Sequence, residues 1–281
     1  KYAIAGGRDR FKALAQNLAI YDSAADVWNQ VPNWSGQPGG HCYQSSCAGN
    51  GKFYYLPSVA STGIQVWDLV ISQPLTAIPA PNKNICTPYT SSWAAATALG
   101  FASWLGEQGS LIWVNCNGST DLSKALTRIA RYDIATAQWT PLFSARGVFQ
   151  NQHTVALRSK HTSKMLIGST TAALQRPLGV IETSGTMSLL PAGPMTVSAG
   201  GSSRSLLIEH PARNEWINFC LDTNRIWSCP DALTGWIDRG PLPVELDNAN
   251  SVALPTSFGA AFVRYRSNPN QSQMWVWKPD F

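Results

Sequence analysis

The chain has 281 residues, 44% of them hydrophobic and only 13% charged, a balance that excludes an intrinsically disordered protein. Its formal charge of +5 arises from 21 basic and 16 acidic residues with no Lys/Arg run, the nearest being Arg8 with Arg10 and Arg128 with Arg131, so no nucleic-acid partner is expected. No apolar stretch reaches the roughly 18 residues of a membrane span, and the 12 Trp favour β-structure and ring-presenting surfaces.

Taken from the N-terminus, Tyr2-Ala3-Ile4 reads as a strand, followed by Gly6-Gly7 and an Arg8-Asp9-Arg10 turn. Ala19-Ile20-Tyr21-Asp22 is a second strand whose Asp begins a turn, with Trp28 and Val31-Pro32 beyond it. His41-Cys42-Tyr43 and Phe53-Tyr54-Tyr55-Leu56 predict the next two strands. Val66-Trp67-Asp68, with Ile78-Pro79, repeats the Asp turn. Trp93-Ala94-Ala95-Ala96 and Leu111-Ile112-Trp113-Val114 follow. Leu122 to Ile129 is the one helical candidate, of about two turns. Tyr132-Asp133 then leads to Trp139 at the spacing seen between Asp22 and Trp28.

The second half continues the pattern. His153-Thr154-Val155-Ala156 and Met165-Leu166-Ile167 precede Val180-Ile181-Glu182 with Leu190-Pro191. Arg204 to Ile208 and Trp216-Ile217-Asn218-Phe219 precede a degenerate copy, Trp236-Ile237-Asp238 with Leu242-Pro243. Asn250 to Leu254 and Ala260 to Val263 end the series before Met274-Trp275-Val276-Trp277. Five such units and the N-terminal segment make six segments of about 47 residues. That is the length of a propeller blade. The expectation is an all-β fold: a single β-propeller domain over residues 1–281, with six blades or alternatively five, closed by pairing of the N- and C-terminal strands.

The run Tyr2-Ala3-Ile4-Ala5-Gly6-Gly7, then Tyr21-Asp22 and Trp28, resembles a kelch repeat, and Tyr132-Asp133 to Trp139 resembles the second half of another. Cys116-Asn117-Gly118 and Ile167-Gly168-Ser169 only partly imitate the Gly pair in later units. The resemblance implies a propeller and no single function, because kelch-like propellers include both interaction modules and oxidases.

Local catalytic motifs are missing. There is no G-x-S-x-G around a serine and no sialidase box. Asp22, Asp68, Asp133 and Glu182 have structural work in the repeat, which leaves Asp9, Glu107 and Asp121 as acids in loops for glycosidase chemistry. His41-Cys42-Tyr43 holds residue types used by copper-radical oxidases, without that family's motifs. Neither a metal nor another cofactor is expected.

Binding has the better support. His41, Trp93, His153, Arg204 and Asn250 each open an innermost strand, so in a closed ring they converge on the mouth of the central channel, with Arg8, Asp9 and Arg10 on the same rim. Trp28, Trp139, Trp113 and Trp275 are expected between blades, and Trp34 and Trp104 exposed.

Six cysteines allow 15 connectivities. The expected bonds are Cys42–Cys47, Cys86–Cys116 and Cys220–Cys229. With N-x-S sequons in predicted loops at Asn33, Asn117 and Asn270, they favour a secreted glycoprotein. A start at Lys1 without an initiator Met fits removal of a leader. The reading is a secreted recognition domain for a carbohydrate or protein ligand at the channel mouth. The alternative is a glycan-active enzyme, a hydrolase or lyase, using the same pocket.

Overall fold

A computed structural model describes residues 2–5, 18–22, 24–31, 46–55, 63–82, 95–102, 109–117, 126–147, 154–159, 161–169, 179–182, 184–190, 205–221, 223–230, 235–244, 246, 251–267 and 270–280. These form strands and turns, with no helix among the described residues.

The strands make six antiparallel sheets, each built from segments consecutive in the chain. Sheet one holds β1 (Tyr2–Ala5), β2 (Leu18–Asp22) and β3 (Val27–Val31). Sheet two holds β4 (Ser46–Gly49), β5 (Lys52–Tyr55), β6 (Ile64–Asp68) and β7 (Gln73–Ile78). Sheet three runs through β8 (Ala95–Ala102), β9 (Ser110–Asn117), β10 (Leu126–Asp133) and β11 (Gln138–Arg146). Sheet four comprises β12 (Thr154–Arg158), β13 (Lys164–Ser169), β14 (Gly179–Glu182) and β15 (Met187–Leu189). Sheet five comprises β16 (Ser205–Glu209), β17 (Glu215–Cys220), β18 (Arg225–Pro230) and β19 (Ile237–Pro241). Sheet six ends the series with β20 (Ser251–Pro255), β21 (Ala260–Ser267) and β22 (Asn270–Trp277).

Turn chemistry explains the recurrence. Asp22 Oδ1 accepts the Ala24 and Ala25 amides, Asp68 Oδ1 those of Val70 and Ile71, and Asp133 Oδ1 that of Thr136. The fourth residue after each Asp is left-handed: Asp26, Ser72 and Ala137 have φ of 54°, 56° and 55°. A side chain that bonds the backbone two or three residues on fixes the turn and hence the register of the next strand. Tyr21 therefore pairs with Trp28 as Tyr132 does with Trp139. Between β4 and β5, Asn50 and Gly51 supply the two positive φ angles of a two-residue hairpin.

Five apolar clusters form the core, each shared by two consecutive sheets. Ile20 and Val31 of sheet one meet Phe53, Tyr55 and Trp67 of sheet two. Tyr54, Ile64 and Val66 of sheet two meet Leu111, Trp113 and Tyr132 of sheet three. Ile112, Val114 and Ile129 meet Met165, Ile167 and Ile181 of sheet four. Leu166, Val180 and Leu190 meet Trp216 and Cys229 of sheet five. Ile217, Phe219 and Ile226 meet Ala260 and Phe262 of sheet six, with the Phe219 and Phe262 rings edge to face at 4.7 Å. Each fully buried Ile or Phe contributes about 1.5–3 kcal/mol relative to exposure in water. At the junction of sheets three and four the backbones come close. Gly185 has φ 85°, and a Cβ there would stand 2.5 Å from the Leu142 carbonyl oxygen.

First strands lie beside first strands: β4 beside β8, β8 beside β12, and β16 beside β20. This is the arrangement of blades about an axis.

Several expectations need correction. β1 pairs with β2 and β22 with β21 in separate sheets, and the pairings described neither form nor exclude the expected closure by the terminal strands. The helical candidate is strand where described, since β10 begins at Leu126 and is paired along both edges. Trp236-Ile237-Asp238 is not a third strand. β18 takes that place, and Asp238 lies in the fourth strand, paired opposite Trp227. Trp28 is 57% exposed rather than packed between sheets, whereas Trp113 is fully buried and Trp275 packs against the last cluster.

The disulfide expectations fail where they are described. Cys47, Cys220 and Cys229 are thiols. Cys220 pairs opposite Arg225, and Cys229 opposite Trp216, so the two cysteines sit four ladder positions apart. At about 3.4 Å per residue that is roughly 13 Å, beyond the reach of a disulfide. Cys42 and Cys86 lie outside the described residues, and of Cys116 only the backbone in β9 is described. Asn117 and Asn270 are strand ends, the last residue of β9 and the first of β22, rather than loop residues; Asn33 lies outside the described residues.

Candidate functional site

The expected binding residues bear a regular relation to the first strands. His153 immediately precedes β12, Arg204 precedes β16 and Asn250 precedes β20, while Trp93 stands two positions before β8. His41 is five positions before β4, which begins at Ser46 rather than in the expected His41-Cys42-Tyr43 segment. These five residues lie outside the described residues, as do Arg8, Asp9, Arg10, Trp34, Trp104, Asp9's companion loop acids Glu107 and Asp121.

The opposite ends of β12, β16 and β20 are among the described residues. Ser159 follows β12, and its Oγ accepts the His161 and Thr162 amides at 3.1 and 2.9 Å, closing the turn into β13. His210 follows β16 and its Nδ1 accepts the Ala212 amide at 3.1 Å. Thr256 follows β20 and its Oγ1 accepts the Gly259 amide at 3.0 Å. One polar side chain thus caps the same turn in three sheets.

Two further contacts join these turns across sheets four and five. Ser159 Oγ donates to Glu209 Oε1, both residues being buried, and His161 Nε2 donates across 2.9 Å to the His210 carbonyl oxygen. The sequence reading missed this tie. Its signal is a polar residue closing each first strand after an apolar run, at Ser159, His210 and Thr256.

Two further described carboxylates, Glu215 and Asp238, are engaged in ion pairs. Glu215 is buried and receives Arg239 Nη2 at 2.8 Å and Arg213 Nη2 at 3.1 Å. Burial pushes its carboxyl up, but the hydrogen bonds from Ser228 and Arg239 and the charges of Arg213 and Arg239 together outweigh this and hold it below the usual glutamate range. Asp238 is held low first by the hydrogen bond from Arg225, at 2.6 Å, and then by the Gly240 amide. Such acids stay ionised and bound near neutral pH, so they are poorly suited to donate a proton in glycan cleavage. Burial, then the charges of Cys47 and Tyr132, pushes the Tyr54 hydroxyl up to about 12, and burial also pushes the Cys47 thiol up. Among the described residues no group of three or more His, Cys, Asp or Glu is placed to hold a metal ion.

The polar side chains at the described turns are thus engaged within the fold.

No family model matches the sequence, and no curated protein matches it. The kelch likeness accordingly remains a property of the repeat motif. Solved structures are similar to the chain in fold. An oligogalacturonate lyase in complex with manganese is 12% identical, with 92% of this chain and 70% of that chain covered at a TM-score of 0.53. A hydrazine synthase from Kuenenia stuttgartiensis is 10% identical, covering 99% and 84% at a TM-score of 0.53. An exo-1,5-α-L-arabinanase from a bovine ruminal metagenomic library is 10% identical, covering 87% and 94% at a TM-score of 0.47. The fold is of the β-propeller type.

Proposed function

We propose that the six sheets are the blades of one propeller domain and that the protein acts on a carbohydrate at the axial opening formed by the entries to its first strands. The observation that carries this reading is the neighbouring of those strands, β4 with β8, β8 with β12 and β16 with β20. Residues that lead into strands gathered about one axis approach one another however distant they are in sequence. Arg204 supplies a fixed fork of donors and a charge suited to a carboxylate or a row of hydroxyls. Trp93 supplies a flat apolar face for a sugar ring. His153, Asn250 and His41 add hydrogen-bonding groups, and Arg8, Asp9 and Arg10 extend the rim.

The likeness to an oligogalacturonate lyase supports a glycan-active enzyme with an acidic sugar substrate ahead of a recognition domain. The second reading, recognition of a carbohydrate or protein without turnover, uses the same opening. The sequons at Asn33, Asn117 and Asn270 support an extracellular setting for either.

The test is incubation with oligogalacturonate and with neutral arabino- and galacto-oligosaccharides, following product formation and calorimetric binding together. Shortened products select the enzyme, with an unsaturated new end marking a lyase and a saturated one a hydrolase. Binding without products selects the recognition reading. Arg204→Ala and Trp93→Ala should each weaken binding by about tenfold or more with the melting temperature unchanged. The enzyme reading and carbohydrate recognition fail if no glycan binds, which leaves only a protein ligand, and the assignment of the opening fails if the two variants lose stability and leave binding intact.

A further inference from the structure

Sheets four, five and six allow a position-by-position comparison, because a like hydrogen bond closes the turn between their first and second strands. His210 donates its amide to the Glu215 carbonyl as Ser159 does to Lys164 and Thr256 to Gly259. Counting from these turns, Asn218 on β17 occupies the place of Ile167 on β13 and Phe262 on β21. Counting back from the pairs Lys52 with Asp68 and Ser110 with Asp133, the same place in sheets two and three belongs to Tyr55 and Trp113. All of these are buried in apolar clusters between a sheet and the one before it. Sheet five alone of these puts a primary amide there.

Asn218 is 0% exposed, and neither its Nδ2 nor its Oδ1 has a partner within the protein. Strand alternation puts it on the face of sheet five that carries Trp216, which packs against Leu166, Val180 and Leu190 of sheet four. Trp227, directly opposite Asn218 in β18, shares that face. The indole Nε1 atoms of Trp216 and Trp227 are likewise buried without a protein partner. One face thus gathers two indole N–H donors, two amide N–H donors and an amide oxygen. The amide stands where the equivalent positions hold Tyr, Trp, Phe and Ile side chains.

Buried polar atoms in folded proteins are bonded either to protein or to ordered water, and a polar site with room for one water is hydrated rather than empty. We propose that Asn218, with the indoles of Trp216 and Trp227, forms an internal hydration site between sheets four and five that takes ordered water. The occupant is small and uncharged. It must accept from the N–H groups and donate to the amide oxygen, a combination that water satisfies and a simple ion does not.

Two measurements test this on the intact chain. In a crystal structure fine enough to resolve solvent, a density peak should lie about 3 Å from an Asn218 amide atom and from at least one of the two indole nitrogens. In solution, the indole N–H protons of Trp216 and Trp227 should show cross-peaks to long-lived water, and Asn218→Ile, which installs the sheet-four residue, should abolish them. The proposal is overturned if the wild-type amide is dry or bonded directly to protein in the crystal. It is equally overturned if the indole protons show no bound water. Both wild-type readouts stand whether or not the variant folds.

Discussion

Sheets one and three contain the same motif and put it to different use. In both, an Asp-initiated turn with a left-handed fourth residue sets a Trp opposite a Tyr. In sheet three, Trp139 reaches back to sheet two, donating its Nε1 proton to the Pro79 carbonyl at 2.8 Å and packing on Trp113 and Tyr132. In sheet one, Trp28 is 57% exposed. The motif therefore fixes register, a local matter of hydrogen bonds within four residues. Burial of the ring is decided by what packs against it, which for Trp139 is sheet two.

The largest expected effect breaks the two tryptophans apart. Trp139→Ala should lower unfolding free energy by about 2–4 kcal/mol, from the lost packing and the orphaned Pro79 carbonyl. Trp28→Ala should cost less than about 1 kcal/mol. Urea midpoints at unchanged slope measure both, and equal losses would remove the distinction.

A smaller effect should be the same in both sheets. Asp22→Ala and Asp133→Ala each remove a turn acceptor and should each cost about 1 kcal/mol in the same assay. The pH dependence follows from the same bonds. The Asp133 carboxyl lies below the ordinary range chiefly through the Thr136 amide, and that of Asp68 through the amides of Ile71 and Val70. Because the folded values are depressed, the stability they contribute is present above the unfolded value of about 3.9 and is lost as pH falls through the folded value. Melting temperature should decline below about pH 4, less steeply in Asp68→Asn and Asp133→Asn.

The smallest effect sharpens the turn itself. Ala137 holds φ 55° where Asp26 holds 54°. Alanine strains there more than aspartate, so Ala137→Gly should stabilise by about 0.5–1 kcal/mol and Asp26→Gly by less.

Much of the fold was legible because it is written in spacing. Asp-to-Trp distances and apolar runs located most of the second and third strands. The errors have physical causes. Asp238 follows an aromatic and an Ile as Asp68 follows a Trp, yet it binds Arg225 and the Gly240 amide rather than opening an outer turn. Asn224, at φ 53°, is the last residue of the turn between β17 and β18, which leaves Cys220 and Cys229 out of register with each other. The helical reading of Leu122 to Ile129 rested on apolar spacing alone, and pairing with β9 and β11 overrides it. The candidate site was legible only as residues leading into first strands. The amide of Asn218 went unremarked because polarity inside an apolar strand gives no sign of which neighbour it faces.

The shared clusters carry a consequence for how mutations combine. Among the described residues, each apolar cluster belongs to two consecutive sheets and to no third. Energy lost at Ile20 is felt by Phe53 and Trp67 and is not relayed to Phe219. Substitutions in neighbouring sheets, such as Val66→Ala with Leu111→Ala, should be strongly epistatic, because they empty one common space. Substitutions in sheets one and five should simply add. Such a molecule tolerates substitution in one sheet without readjustment in distant ones, so its repeats can differ singly, as the amide in sheet five and the exposed indole in sheet one do.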